Sequence, residues 1–349
     1  MLRGRGERLA HTATTPDALA PPQATIDSVL RSAANWPNFS RAIPYLLVPC
    51  LFVFCVLTIP GYFNKSSILS LFILSSFLGL ASLGQTMTVI AGGVDLSIAA
   101  VMGLAEIILT QRYAGGWPFW EICLALAGLA ILIGSVNALS SVILHVHPLI
   151  TSFGMSLVVG GIALEWSHGF TTGSAPSWLT SCVSPIGKTG PIPVPGIVVA
   201  WIVAAVLAIA FMRLTRIGRE IYATGANPTA ARLARVRSTW TLVAAFVISA
   251  MCASIAGVFF AGYSGIADST VGQPYFFETI TAVVIGGTSL LGGRGGYGRT
   301  AMGALIVAEL TTLLVGLGFN ESTQELVLGI LIIVLASAYG RELRVSARI

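Results

Sequence analysis

IPYLLVPCLFVFCVLTI, residues 43–59, runs seventeen residues without a charge. A helix crossing a bilayer needs roughly 20 predominantly apolar residues at about 1.5 Å rise each, and about 17 at the short limit. Runs of this kind recur along the whole 349-residue chain, which is 55% hydrophobic and only 9% charged, with a mean hydropathy of +0.86. Length alone would suggest about two soluble domains, but the hydropathy overrides it. An all-α integral membrane protein is expected. The 38 glycines suit spanning helices, because small residues let helix backbones approach one another.

Ten spans are expected, at about 43–60, 67–90, 94–110, 119–144, 149–165, 196–212, 241–261, 275–291, 299–317 and 325–339. An even number puts both termini on one side, and the cations decide which. Between Arg213 and Arg237 there are six arginines against one acid, Glu220. With both termini inside, sixteen of the nineteen Lys and Arg residues fall on the cytoplasmic side, leaving Lys65, Arg112 and Lys188 outside. That asymmetry follows the positive-inside rule. An arginine at the bilayer centre costs about 2.5–3.5 kcal/mol, so the six-arginine segment cannot itself span. The expected organisation is a largely disordered cytoplasmic tail over 1–42, a transmembrane domain over 43–340 and a short cytoplasmic tail over 341–349. Two polar segments interrupt the domain, 213–240 inside and the Gly-, Pro-, Ser- and Thr-rich loop 166–195 outside. The first apolar run begins too late and is too long for a typical signal peptide.

Several motifs mislead. Gly187-Lys188-Thr189 ends like a P-loop, but the first glycine of that motif would fall at Cys182. GRGGYG, 293–298, satisfies a dinucleotide fingerprint yet joins two apolar runs, not a strand and a helix. His145 and His147 have no third ligand nearby, and Pro148 breaks the helix there, so an interfacial turn is expected. The five cysteines, at 50, 55, 123, 182 and 252, form no CxxC pair, so zinc and redox motifs find no support. No nucleotide, metal or catalytic site is expected on this chain, and no nucleic-acid partner. Asp95, Glu106 and Glu309 lie in or beside spans without an obvious base, which weakens an ion-coupled carrier, whose ionisable groups tend to pair at mid-membrane.

Other motifs are informative. In IAGGVDLSIAAVMG, 90–103, Gly92 and Gly93 permit a sharp break and Asp95 suits the N-cap of the next helix. Two readings stay open, a capped turn at the cytoplasmic surface or a broken helix beside a translocation path. Asn137 within a span suits an interhelical hydrogen bond or, less readily, a substrate contact. Gly286, Gly287, Gly292 and Gly293 form a glycine-rich hinge between the eighth and ninth spans. Within 213–240, two short helical pieces are expected. Gly225 suits a left-handed end for the first, and Asn227-Pro228 an N-cap with proline at N1 for the second. Ala231, Leu233 and Val236 offer apolar surface, with Arg232 and Arg235 a turn apart. Arginines resting on anionic lipid would explain the charge, but not the Asn-Pro cap.

At these residues the chain resembles the membrane-spanning subunit of bacterial ABC importers for monosaccharides, of the ribose, xylose and arabinose type. Four blocks carry the resemblance in order: GGVDLS at 92–97, G-x-x-N at 134–137 followed by Pro148-x-Ile150, GREIYATGANPTAARLA at 218–234, and GGTSLLGGRGGYG at 286–298. It covers roughly 45–340, and GGVDLS argues against the related branch for branched-chain amino acids and urea. Ser152, Arg299 and Ala234-Arg235-Val236 depart from the family's usual residues. The resemblance implies an ABC importer permease fold of about ten helices in the bacterial inner membrane. It implies an ATP-binding subunit that carries ATP and magnesium, a periplasmic sugar-binding protein and a second permease copy or paralogue. Residues 213–240 would be the coupling segment, with Gly218, Arg219, Tyr222 and Gly225 in its first piece. Asn227, Pro228, Ala231, Arg232, Leu233 and Arg235 would form the second. Gly92, Gly93, Asp95, Ser97 and Asn137 would lie along the substrate pathway, and 166–195 and 262–274 would meet the binding protein. A polyol, inositol or sugar-derived signal is the alternative cargo within the family. An ion-coupled transporter and a structural membrane subunit are the alternatives outside it.

Overall fold

The computed structural model describes residues 44–346 apart from 171, 190, 191, 267 and 269, with side chains described to residue 335. The tail expected over 1–42 lies outside the described residues. The chain opens with α1 (Pro44–Thr58), followed by α2 (Lys65–Ile90), α3 (Ile98–Ala114), α4 (Phe119–Leu144) and α5 (Pro148–Ser167). A short α6 (Ser177–Val183) precedes α7 (Gly196–Leu214), α8 (Arg216–Ala226) and α9 (Pro228–Leu233). The last four are α10 (Ser238–Ser264), α11 (Gln273–Ile285), α12 (Tyr297–Gly316) and α13 (Glu321–Ser346).

Each of the ten apolar runs lies on a helix. Among the described residues, six of these helices, α2, α4, α5, α7, α10 and α12, are long and apolar enough to cross a membrane. The differences from the sequence reading are local. The third run begins its helix at Ile98 rather than 94 because Gly92 (φ 93°) breaks the backbone. The eighth stops at Ile285 rather than 291 because Gly286 caps the helix and Gly287 (φ 69°) turns the chain. The loop 166–195 contains α6, and α13 continues beyond residue 340 to Ser346.

Packing places α2 at the centre, against α7, α10, α11 and α12, while α10 also lies on α3 and α4. Every residue of α2 from Ser75 to Ile90 is buried, as expected of a helix apolar on all faces. Several of its buried hydroxyls are satisfied locally, although that of Ser82 has no partner among the described residues. Ser75 Oγ donates to the Leu71 carbonyl at 2.7 Å, Ser76 Oγ to Phe72 at 2.6 Å and Thr86 Oγ1 to Ser82 at 2.7 Å. Such back-bonding lets a polar residue sit where no water reaches. The flanking helices instead expose leucines, among them Leu132, Leu157 and Leu207, suited to a hydrocarbon solvent.

Close backbone approach holds the core together. A Cβ on Gly134 would lie 2.6 Å from the Phe246 carbonyl oxygen and from Val247 Cα, so α4 and α10 meet main chain to main chain. Trp201 Nε1 of α7 donates to the Tyr297 hydroxyl at 2.7 Å, which donates to the Gly79 carbonyl at 2.8 Å. That relay ties α7, α12 and α2 through two buried aromatic side chains.

Candidate functional site

The GGVDLS break is buried between α3, α4 and α5. Gly92 N donates to Val89 O at 3.0 Å and Gly93 N to Thr88 O at 2.9 Å, closing the end of α2. Asp95 is not the N-cap of α3. That helix starts at Ile98 behind Ser97, whose φ of −80° is already helical and whose side chain makes no cap bond. Asp95 holds Ser97 instead, Oδ1 accepting from Ser97 N at 3.0 Å and Ser97 Oγ at 2.6 Å. Asn137 Nδ2 of α4 donates to the same Ser97 Oγ at 2.9 Å, the interhelical bond expected of it. Ser152 Oγ of α5 accepts from Leu96 N at 3.1 Å and donates to Val94 O at 2.8 Å. Asp95, Ser97, Asn137 and Ser152 are all buried, so two helices, α4 and α5, grip one irregular stretch through a connected polar network.

The six-arginine segment folds as two helices. Thr215 caps α8, its Oγ1 accepting from Gly218 N at 3.0 Å. Gly218 lies close against Phe211 and Met212 of α7. Asn227 caps α9, Oδ1 accepting from Thr229 N and Ala230 N at 3.0 Å, with Pro228 at the first turn. Gly225, however, does not end α8 in a left-handed conformation. It sits inside the helix, and the left-handed residue of the segment is Arg235, φ 60°. Gly225 is small for another reason: a Cβ there would collide with the Ile90 carbonyl oxygen and lie 2.7 Å from Gly293 N.

Glycines from three elements converge at this point. A Cβ on Gly292 (φ 84°) would lie 2.8 Å from Gly225 O and 3.1 Å from Gly92 Cα. Gly293 N donates to Ile90 O at 2.9 Å. The end of α2, the end of α8 and the loop between α11 and α12 therefore touch through backbone alone. Tyr222 adds one side-chain tie, its hydroxyl donating to Gly295 O at 3.1 Å. Burial pushes the Tyr222 phenol above its ordinary range, while Arg213 and Arg299 act in the opposite direction. Gly286 and Gly287 stand apart from the junction, at the end of α11.

The outward face of the segment is less apolar than its sequence implies. Ala231 turns inward and is buried, Val236 is half-buried, and Leu233 alone projects, 84% exposed. No continuous ridge forms, because Ala231 and Leu233, two residues apart on α9, do not share a helix face, and Val236 lies beyond the left-handed turn at Arg235. Arg216 pairs with Glu220 at 2.8 Å, and Arg219 Nη1 donates to Leu214 O at 3.1 Å. A groove of about 670 Å³ is lined by Arg216, Glu220, Arg235, Arg237 and Trp240. A second, of about 750 Å³, includes Gly92, His145, Pro148, Thr224, Pro228 and Arg232. His147 caps α5 through Nδ1, accepting from Leu149 N at 3.3 Å, so the two histidines form a turn at this end.

Some buried polar residues have no sequence signal beyond standing in an apolar run. Both amide atoms of Gln85 and the Ser249 hydroxyl are buried without a partner among the described residues. Glu106 accepts from Ser264 Oγ at 2.6 Å. Glu278 accepts from Thr311 Oγ1 at 3.2 Å, in a cavity of about 380 Å³ shared with Asp268, Tyr275 and Glu321. Among the described residues, no group of three His, Cys, Asp or Glu side chains is placed to hold a metal ion.

A family model described as "Branched-chain amino acid transport system / permease component" matches residues 67–336. The autoinducer 2 import system permease protein LsrC of Salmonella typhi is 27% identical over 299 residues, 85% of this chain and 84% of the relative. The probable ABC transporter permease protein y4mJ of Sinorhizobium fredii is 32% identical over 259 residues, 73% of this chain and 75% of the relative. The ribose import permease protein RbsC of Haemophilus influenzae is 29% identical over 286 residues, 80% and 87% of the two chains. No solved structure matches.

Proposed function

The chain belongs to the branched-chain amino acid transport system / permease component family, a multi-pass inner-membrane permease subunit, and on that premise we propose that it imports a monosaccharide with energy from a separate ATPase. Relatives named for ribose and for autoinducer 2 support the sugar branch over the amino-acid branch for which the family is named. The GGVDLS block at 92–97 agrees with them. A sugar-derived signal is the second reading, favoured by the name of LsrC. In this proposal all ten apolar helices cross the membrane, both termini are cytoplasmic, and 341–349 ends the chain there. The family implies an ATP-binding subunit and a substrate-binding protein as partners. A second permease copy or paralogue completes the assembly, and ATP and magnesium stay on the ATPase.

One observation carries the mechanism: at Gly225, α8 abuts the Ile90 carbonyl at the end of α2 and Gly292 and Gly293 of the α11–α12 loop main chain to main chain, with Tyr222 as a side-chain tie to the same loop. A soft side-chain contact absorbs displacement by changing rotamer, whereas abutting main chains transmit it. In the proposal the ATPase grips Arg232, Leu233 and Arg235 and moves α9 and α8. The displacement passes at Gly225 to Ile90 and Gly92, and so to the Asp95–Ser97–Asn137 network beside the substrate path. The hinge at Gly286, Gly287, Gly292 and Gly293 lets α11 and α12 follow.

The test is co-reconstitution of the permease, ATPase and binding protein in vesicles, with the double variant Asn227→Gly/Pro228→Gly. ATP hydrolysis should persist while labelled sugar uptake falls at least tenfold. Uptake per ATP equal to wild type would remove the coupling assignment. Uptake that follows a proton gradient and survives ATP depletion would remove the ABC mechanism altogether.

A further inference from the structure

Helices α3, α4 and α5 enclose an apolar cleft of about 500 Å³ that coupling and translocation leave unused. Leu104, Ile108, Leu129, Ile133, Met155 and Val159 form its walls, and Arg112, Trp117 and Trp166 close one end. The Arg112 guanidinium carbon stands 4.8 Å from the Trp117 ring centre and 4.7 Å from that of Trp166. Two indoles thus hold the cation through their π faces. The five N–H donors of a guanidinium point outward in its plane, and among the described residues no carboxylate pairs with them. Arg112 is also one of only three cations that charge sorting leaves on the arginine-poor side of the chain.

The cleft opens sideways. Leu132, Val158 and Ile162 on its lining are 59%, 56% and 49% exposed, on helices long and apolar enough to span a membrane. Along α4 the lining extends from Ile122 to Val136. That is about 21 Å at 1.5 Å per residue, enough to accommodate the roughly 15 Å depth of one leaflet's hydrocarbon. A long apolar slot facing the bilayer, ending in an aromatic-clamped cation with free donors, matches a molecule with an acyl chain and an anionic head.

We propose that this cleft binds one anionic phospholipid, its acyl chain between α4 and α5 and its phosphate on the Arg112 guanidinium. Trp117 and Trp166 orient the guanidinium and sit at the level where indoles favour the membrane interface. The inference rests on these helices crossing the membrane and not on the transported substrate, so its failure leaves the transport assignment standing.

Native mass spectrometry of the full chain, released from micelles supplemented with phosphatidylglycerol or phosphatidylcholine, tests it. Wild type should retain one phosphatidylglycerol about fivefold more often than phosphatidylcholine, the factor one arginine contributes near a membrane surface. Arg112→Gln should bind the two lipids equally. Ala125→Phe, placed on an exposed position of the lining, should retain neither and keeps the test alive if Arg112→Gln is poorly recovered. A wild type that retains no lipid overturns the proposal, as does an unchanged preference in Arg112→Gln or unchanged retention in Ala125→Phe. Efficient cross-linking between two copies through Val158→Cys in excess lipid would also overturn it, because a second permease would then fill the cleft.

Discussion

Replacing Gly225 by alanine adds one methyl group at the point where three backbones meet. That methyl would collide with the Ile90 carbonyl oxygen and approach Gly293 N to 2.7 Å. Neither is a side chain able to rotate away, so α8 must separate from the end of α2. Forcing a methyl into a filled site costs about 1–3 kcal/mol. Separation also strains the Gly293 N to Ile90 O bond of 2.9 Å, adding about 0.5–1.5 kcal/mol. Together these come to about 1.5–4.5 kcal/mol, and at about 1.4 kcal/mol per decade the docked arrangement falls about tenfold or more. The assay is sugar uptake and ATP hydrolysis measured together in vesicles carrying the complete transporter. Uptake per ATP should fall by at least tenfold while membrane insertion and the elution profile of the purified permease stay normal. Gly154→Ala is the control, because a Cβ there meets nothing within 4 Å; it should transport like wild type. Normal coupling in Gly225→Ala would refute the idea that this junction transmits force.

Tyr297→Phe removes the hydroxyl that accepts from Trp201 and donates to Gly79 O. Leaving buried groups unpaired costs about 1–3 kcal/mol, so thermal denaturation of the purified permease should begin at a clearly lower temperature. Gly134→Ala forces α4 off α10 and should destabilise by about 1–3 kcal/mol, whereas Gly128→Ala, with open space around it, should not; the same denaturation assay separates them. Asn137→Ala deletes the bond to Ser97, worth about 0.6 kcal/mol and at most about 1.7 between membrane helices. Its stability should barely change while the uptake rate falls severalfold, and an unchanged rate would detach Asn137 from the substrate path.

The apolar runs made the helices legible because a span must satisfy its backbone internally, which leaves little choice of structure. The Asn227-Pro228 start of α9 was legible for a similarly local reason, since a cap depends on its own next three residues. Gly225 shows where such reading stops. From sequence it suits a helix end with positive φ, but its smallness answers to Ile90 and Gly293, which are distant in the chain. Asp95 failed as an N-cap because its carboxylate engages Ser97 two residues on and the helix starts only at Ile98, while the bonds from Asn137 and Ser152 that fix the same stretch exist only after α4 and α5 have packed. The apolar ridge expected on Ala231, Leu233 and Val236 was excluded in part by spacing alone, since residues two apart do not share a helix face, and in part by the left-handed Arg235 before Val236, for which no glycine gives notice. Glu278 and Gln85 carry no local pattern at all and stand out only once their burial is known.

The amide of Gly293 has a use that follows from its partner. Its hydrogen is held by a carbonyl from another helix, Ile90, so it is released only when the loop and the end of α2 part. Deuterium uptake at that single amide therefore counts how often the junction opens, without any label attached to the protein. Under the proposed ABC mechanism, followed through the nucleotide cycle of the ATPase, it would clock the permease's internal motion independently of whether any sugar crosses the membrane.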